Sequence, residues 1–410
     1  MRFQFIYPKW PKLPGQNPFD LPPLGVIQAA ASVPAGVDVA VTNENVEPVD
    51  FEGAYDLVGI SIMLTCQAPR AYEIADTFRA RGKKVVMGGL HVALCPDEAA
   101  QHADAVVVGE GEELIPRLVK DFQEGQMASV YRRSQGFADI SKLPNPRRAL
   151  HDKKRLYTYK GWELVDLVET SRGCRYNCYP CCTPYLGGRV HRTRPIDHVL
   201  SDLRSCSDLV FIVDNSLEQD VEYQKNLFRA MAGEGKRWIS HPITPEPEVL
   251  DLAQKSGCWW VYHAIYTISD KIRDRVKMFH DYGIAVEGTI LLGLKDHTED
   301  FIKRFVDFLL TIELDLAEFT VLTPFPHTQV YEELEAEGRI IDRDWRNYNA
   351  STVVYRPWAI SPDKLQELYF QAWDLFYREQ SQNARMGKLF WNVAKESAKR
   401  RKELGDTKRG

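Results

Sequence analysis

Short runs of β-branched and aromatic residues alternate along the first 125 positions with longer stretches whose apolar residues recur every three or four. RFQFIY, VDVAVT, LVGISIML, KVVMGGL and AVVVGEG read as strands, each bounded by turn residues. Between them, APRAYEIADTFRARG carries a helical apolar stripe that stops at Gly82, and ELIPRLVKDFQEG one that stops at Gly125. This alternation predicts an α/β chain that begins with a doubly wound, Rossmann-like parallel sheet. Such sheets take their ligands at the carboxyl ends of the strands.

The pattern breaks from about Gln126 to Lys160, where DISKLPNPRRALHDKKR is rich in proline and charge and reads as a linker or strap. It resumes with six strand-like runs, LVDLVETS, LVFIVDN, RWISHPI, WWVYHAIY, AVEGTILLGL and AEFTVLTPF. Helical segments such as DHVLSDLRS, PEVLDLAQKSG and EDFIKRFVDFLLTIE separate them. Six β/α units make an incomplete barrel, open on one side, with its chemistry on the loops that follow the strands. From about Asp342 the chain turns aromatic and then helical, ending in AKRRKELGDTKRG, which reads as a solvated tail. The expected organisation is a Rossmann-like domain over 1–140, a partial (β/α)6 barrel over 141–345 and a small helical region over 346–410.

Composition narrows the class. With 44% hydrophobic and 27% charged residues in 410, the chain is expected to fold over most of its length. Lys plus Arg number 52 against 57 Asp plus Glu, so no basic field exists to hold nucleic acid. No stretch approaches the roughly 18 uncharged apolar residues of a membrane span, and MRFQFIYPKWPKLPGQNPF lacks a signal-peptide core. A cytoplasmic protein is expected. In a reducing compartment, clustered cysteines serve as metal or redox groups more often than as disulfides.

That matters because four of the eight cysteines fall within ETSRGCRYNCYPCC, directly after the first strand of the second series. Cys174, Cys178 and Cys181 form CxxxCxxC. Tetrahedral zinc usually takes two separated ligand pairs, and no second pair exists here. Three thiolates on a four-iron, four-sulfur cluster leave one iron without a protein ligand, open to a substrate or cofactor. Cys182 reads as a packing residue or an alternative ligand, because adjacent side chains point apart.

CxxxCxxC after the first strand of a six-stranded partial barrel resembles the radical S-adenosylmethionine (radical SAM) superfamily. The resemblance implies that Cys174, Cys178 and Cys181 hold a 4Fe–4S cluster and that S-adenosylmethionine chelates the open iron. An electron from the cluster then releases a 5′-deoxyadenosyl radical. Superfamily members usually carry an aromatic residue directly before the third cysteine; here Pro180 occupies that slot, with Tyr179 one position earlier as the candidate cofactor contact. A Gly-x-Glu-Ser element common after the fourth barrel strand is replaced by VYHAIYTISDK.

The first domain is similar to the cobalamin-binding domain that precedes the barrel in one class of these enzymes, which includes the hopanoid methylases and the anaerobic bacteriochlorophyll cyclase. Ser61 and Thr65 follow its third strand, Gly88 and Gly89 the fourth, and Gly109, Glu110, Gly111 and Glu112 the fifth; all are candidate cofactor-binding residues. Glycines there let the backbone approach a bulky ligand, and the two glutamates disfavour a dinucleotide pyrophosphate. His91 is a further candidate, although His91 and His102 both read by default as surface or helix-end histidines. With no Asp-x-His-x-x-Gly motif, the lower face of cobalamin is expected to be free of protein histidine.

Asp214 and Asn215 end the second barrel strand and are candidate cofactor contacts, with solvated strand-end polarity as the plainer reading. Glu287 lies with Thr289 inside the fifth strand, where a carboxylate is costly unless paired or ligand-bound. It is the candidate contact for the methionine amine or the substrate. Tyr348, Tyr355, Trp358, Tyr369 and Trp373 read chiefly as core, with a pocket for a flat or lipophilic substrate as the functional alternative. FTVLTPFPHTQVYEELEAEGRI and the segment starting DWRNY extend the resemblance, which covers about Asp56 to Arg378. It implies C-methylation of an unactivated carbon, with methylcobalamin as methyl donor and flavodoxin or ferredoxin as electron source. Radical cyclisation or hydroxylation of a tetrapyrrole-like molecule, and a non-catalytic cobalamin carrier or sensor, are the alternatives.

Overall fold

The computed structural model describes residues 1–11, 21–150, 165–378, 387 and 391. The end of the expected linker and the basic tail lie outside these residues. The first eleven elements are β1 (Arg2–Tyr7), α1 (Leu24–Ala31), β2 (Asp38–Asn43), β3 (Leu57–Ser61), α2 (Ala68–Ala80), β4 (Lys84–Gly88), α3 (Leu90–Leu94), α4 (Pro96–His102), β5 (Ala105–Val108), α5 (Ile115–Gln123) and β6 (Val130–Arg132). The six strands form one parallel sheet in the order β2-β1-β3-β4-β5-β6. The order reverses between β1 and β3, the switch point at which such sheets open a crevice at their carboxyl edge.

The strand β6 lies inside the stretch read as a linker or strap, and the sequence reading gave no strand there. Val130, Tyr131 and Arg132 pair with Val106, Val107 and Val108. The Tyr131 ring is buried, and its hydroxyl donates to Asp121 at 2.9 Å. One buried side chain in three residues is too little alternation to read from sequence.

The second series comprises β7 (Asp166–Val168), β8 (Ser171–Arg172), α6 (Pro184–Gly187), β9 (Arg192–Thr193), α7 (Ile196–Arg204), β10 (Leu209–Ile212), α8 (Val221–Met231), β11 (Arg237–Ser240), α9 (Pro247–Ser256), β12 (Cys258–Ile265), α10 (Asp270–Asp281), β13 (Ala285–Leu292), α11 (Glu299–Thr311) and β14 (Leu316–Val321). Then come α12 (Gln329–Ala336) and α13 (Pro362–Arg378). Six parallel strands follow one another in chain order, β7-β10-β11-β12-β13-β14, the arrangement of a partial barrel. Several helices start on side-chain caps: Asp220 accepts from the Tyr223 amide before α8, and Thr298 from the Phe301 amide before α11.

Alternate residues of the barrel strands face opposite ways. One set, including Val210, Trp238, Val261, Ile290 and Phe319, packs under the helices in the main core. The other set forms a smaller cluster of Leu167, Phe211, Ile239 and Trp259 on the concave side. Leu21 and Leu24, from the start of the chain, pack against that concave cluster. Among the described residues, no helix is long and apolar enough to cross a membrane.

Candidate cofactor site

The cysteine loop is built on the end of β7. Asp214, just past β10, accepts hydrogen bonds from the Thr170 amide at 2.7 Å, the Thr170 hydroxyl at 2.5 Å and the Ser171 hydroxyl at 2.5 Å. It is 1% exposed. Loss of hydration pushes its carboxyl up to about 6, against the opposing pull of these donors. Asp214 is therefore a buried fastener rather than a solvated strand end, because the loop after β7 folds over it. Asn215 beside it is half-buried.

Next, β8 and β9 form a two-residue antiparallel clip that sets Arg172 opposite Arg192. Gly173 follows with φ +86°, and a Cβ there would run into the carbonyl oxygens of Val190 and Gly187. Only glycine fits before Cys174. The Cys174 amide donates to the Gly188 carbonyl at 3.0 Å, the Arg175 amide to Gln219 Oε1 at 2.7 Å and the Cys181 amide to the Cys178 carbonyl at 2.9 Å. The loop is thus pinned at both ends.

All three thiols of the motif are free; Cys174 is buried, while Cys178 and Cys181 are exposed. Burial raises the Cys174 and Cys178 thiols, and neighbouring thiols of the same loop raise them further. The three sulfurs therefore sense one another. Among the described residues, however, no three His, Cys, Asp or Glu side chains converge on a point that could hold one ion. In a four-iron cluster each sulfur takes a different iron, which three thiols of one loop can supply. The donor set fits a cluster. Cys182 is partly buried beside it, its thiol pushed up to about 12 chiefly by burial.

The two glutamates after β5 are not free to face a ligand. Glu110 is 6% exposed and binds both arginines of the clip: Arg172 Nη1 at 3.0 Å, and Arg192 Nη1 and Nη2 at 2.9 and 2.8 Å. It also accepts from the Ala138 amide at 2.7 Å. Glu112 accepts from Arg172 Nη2 at 2.9 Å, and Glu169 from Arg172 Nε and Nη2 at 3.0 and 2.7 Å. The sequence reading put Glu110 and Glu112 at the cofactor; the structure turns them onto the cysteine clip. Nothing in the sequence marked Arg172 and Arg192 as their partners, which lie about 60 and 80 positions away.

The neighbouring carboxyl edge is open. Gly89, at φ +103°, lies against β3, and a Cβ there would stand 2.6 Å from the Ile62 carbonyl oxygen. Gly88 pairs with Ser61, Gly109 at φ +90° has open space where a side chain would be, and Gly111 has ordinary contacts. Met63 is 46% exposed on the same edge. This ledge of backbone and one thioether suits a broad, amide-rimmed ligand such as cobalamin. Thr65 and His91 sit beneath it, both buried. The Nε2 of His91 is 3.1 Å from the Tyr72 hydroxyl and its Nδ1 3.4 Å from the Thr65 hydroxyl. His91 is thus no surface histidine, and neither nitrogen is left for cobalt. His102 is a helix-end histidine, stacked on Tyr72 and bonded to Asp76 at 2.8 Å.

On the barrel's concave side an aromatic group gathers, with Leu21 and Leu24 packed against the same cluster. Phe211, Tyr262 and Trp260 form a stack with centroid separations of 5.3 and 5.5 Å. His241 lies edge-on to Phe211 and Tyr262, and its Nδ1 is 2.7 Å from the Asp214 carbonyl. A carbonyl only accepts, so Nδ1 carries the proton, and burial keeps the ring neutral. Glu287 pairs in register with Tyr262 and is 9% exposed. Its carboxyl is raised well above the ordinary range by burial and then by Glu318, one strand over. Glu318 itself is exposed. Glu318 was missed in the sequence, yet AEFTV carries the same signal as the Glu287 strand, a carboxylate among apolar strand residues.

Tyr179 stands apart from this group. With Leu294, Lys295, Asp296, Glu333 and Trp358 it lines a cavity of about 350 Å³. Burial, then Glu333 and Glu337, push its phenol up to about 12. Of the C-terminal aromatics, Tyr348, Tyr355 and Tyr369 are core residues and Trp373 packs on the core; Trp358 alone of the five lines this cavity.

A parallel sheet with an open carboxyl edge, fastened to a three-cysteine loop on a partial barrel, defines a two-cofactor protein class. Residues 15–119 match the family described as the B12 binding domain. The chain is 29% identical over 376 residues to bacteriochlorophyllide d C-12(1)-methyltransferase of Chlorobaculum tepidum, covering 85% of this chain and 81% of that one. It is 27% identical over 356 residues to bacteriochlorophyllide d C-8(2)-methyltransferase of the same organism, covering 79% and 77%. The fold is shared with the radical S-adenosylmethionine methyltransferase TsrM of Kitasatospora setae, solved with tryptophan and an S-adenosylmethionine analogue. That likeness has a TM-score of 0.64 at 18% identity and covers 82% of this chain and 76% of that one. Through residues 15–119 the chain matches a B12-binding domain, and over most of its length it is similar to methyltransferases and shares the fold of a radical S-adenosylmethionine methyltransferase.

Proposed function

We propose that this protein methylates an unactivated carbon of a flat, tetrapyrrole-like small molecule. The carrying observation is that the loop bearing Cys174, Cys178 and Cys181 is fastened directly to the open carboxyl edge of the B12-type sheet. When bound, the cluster with S-adenosylmethionine would supply the radical that removes a hydrogen atom, and cobalamin the methyl group that replaces it. The relatives named for bacteriochlorophyllide favour the macrocyclic substrate.

The chain's own residues have defined tasks in this reading. The three cysteines hold the cluster, and Asp214 holds Thr170 and Ser171 so that the loop keeps its shape. Ser61, Gly88, Gly89, Gly109 and Gly111 offer a backbone ledge for the corrin. The Phe211–Tyr262–Trp260 stack offers a flat apolar surface, and Glu287, whose protonated form is favoured by burial, can donate or accept a hydrogen bond beside it. Tyr179 guards the outer cavity with Trp358. A low-potential donor such as flavodoxin or ferredoxin would reach the cluster from the exposed side of Cys178 and Cys181, in the cytoplasm.

The test is anaerobic reconstitution of the full chain, followed by measurement of iron, cobalt and product. Four irons and one cobalamin per chain are expected, with 5′-deoxyadenosine on reduction and a methyl mass gain on a chlorophyllide-type acceptor. Deoxyadenosine with an acceptor that loses hydrogen, or gains oxygen, would replace methylation by cyclisation or hydroxylation. Cobalamin binding without iron would leave only the carrier or sensor.

A further inference from the structure

Directly opposed like charges destabilise an antiparallel pair. The clip that presents Cys174 has such a pair, since Arg172 and Arg192 are register partners in β8 and β9. Two residues per strand supply too few ladder hydrogen bonds to hold them together. What sits between the guanidiniums is Glu110, which comes from the other sheet and bonds both at once. Its side chain is 2% exposed, and those of Arg172 and Arg192 are 13% and 18% exposed, so water screens this contact poorly. Bidentate guanidinium–carboxylate geometry makes it directional as well as strong.

Arg192 also reaches the backbone around the loop. Arg192 donates to the carbonyls of Gly187 and Ala138, at 2.9 and 2.7 Å. Gly187 and Gly188 form the floor against which Gly173 and Cys174 lie. At the other end, Glu110 is flanked by Gly109 and Gly111 on the edge where the corrin ledge lies.

We infer that Glu110 is a positioning residue that fastens the cysteine clip to the B12-type sheet and thereby couples the two cofactor sites: occupation of one stabilises the other. The inference rests on the cofactor assignment above. Linkage makes the coupling reciprocal, so bound cobalamin slows cluster loss and a built cluster tightens cobalamin. Glu112 and Glu169 hold only Arg172; without Glu110 the clip loses its bridge to Arg192.

Glu110→Gln in the full chain tests this, with Glu112→Gln as the comparison. Hydrogen exchange of peptides covering 170–175 and 187–194 is read first, on cofactor-free protein. At least tenfold faster exchange is expected in E110Q and less than threefold in E112Q; equal rates in E110Q and the parent would overturn the inference. In reconstituted protein, release of iron to a chelator is then followed with and without cobalamin. Cobalamin is expected to slow release severalfold in the parent and in E112Q, and not in E110Q; retained protection in E110Q overturns the coupling. Arg192→Lys, which keeps the charge and loses the fork, is expected to follow E110Q, and serves if E110Q fails to fold. A parent chain that takes up neither iron nor cobalamin would defeat the cofactor assignment, while the exchange rates would still report on the fastening.

Discussion

Replacing Asp214 by Asn gives a quantitative check on the loop beneath the cysteines. The native carboxyl titrates near 6, whereas an Asp in an unfolded chain titrates near 3.9. Between those values the native state holds a proton that the unfolded state has released, so stability is complete at about pH 4 and declines as the pH rises through 6. The shift of about 2 units corresponds to roughly 3 kcal/mol. Asn cannot ionise, so this component vanishes in the variant. Urea unfolding of cofactor-free parent and D214N, in reducing buffer from pH 4 to 7, should show the difference in stability moving by about 3 kcal/mol in favour of the variant. Taking the difference at each pH cancels groups common to both proteins. D214N should also carry a pH-independent penalty of about 1–3 kcal/mol, because one amide oxygen replaces a carboxylate that accepts three donors. A difference that stays flat across this range would refute the burial argument, and with it the role of Asp214 as a dehydrated fastener.

Further outcomes follow from the same geometry. Cys178→Ser or Cys181→Ser should lose most of the iron after reconstitution, whereas Cys182→Ala keeps it; iron loss in the last variant would make Cys182 a ligand. Gly173→Ala should cost about 3 kcal/mol or more, from a left-handed φ and a backbone clash, and abolish iron uptake while cobalamin still binds. Glu287→Gln should change stability by less than about 1 kcal/mol, since burial disfavours the charged form that Gln cannot mimic, yet slow deoxyadenosine formation at least tenfold; unchanged turnover would remove Glu287 from the site. His91→Ala should destabilise the first sheet by about 2–3 kcal/mol and leave the cob(II)alamin electron paramagnetic resonance spectrum unchanged. Nitrogen splitting lost in the variant would identify His91 as a cobalt ligand.

Both sheets were legible because each strand is a compact apolar run between turn residues and each long helix carries a stripe. β6 was not, having a single buried tyrosine; α8 and α10 fill β/α units expected from the strand spacing, although VEYQKNLFRAM and DKIRDRVKMFHD carry much charge on their outer faces. The CxxxCxxC spacing is plain in the sequence, and its assignment to a cluster remains part of the proposal. The roles of Glu110, Glu112 and Asp214 were not, since a carboxylate at a strand end looks the same whether it meets water, a ligand or an arginine far along the chain. His91 was misjudged for a related reason: burial depends on α3 packing back over β3 and on Tyr72 from α2, which no local pattern encodes.

The contact of Leu21 and Leu24 with the concave wall bears on how this protein can be handled and how it evolves. A fragment starting near residue 141 would bare Leu167, Phe211, Ile239 and Trp259 to solvent and aggregate rather than behave as a free-standing module. Exchanging either half with that of a relative would have to preserve this greasy plug.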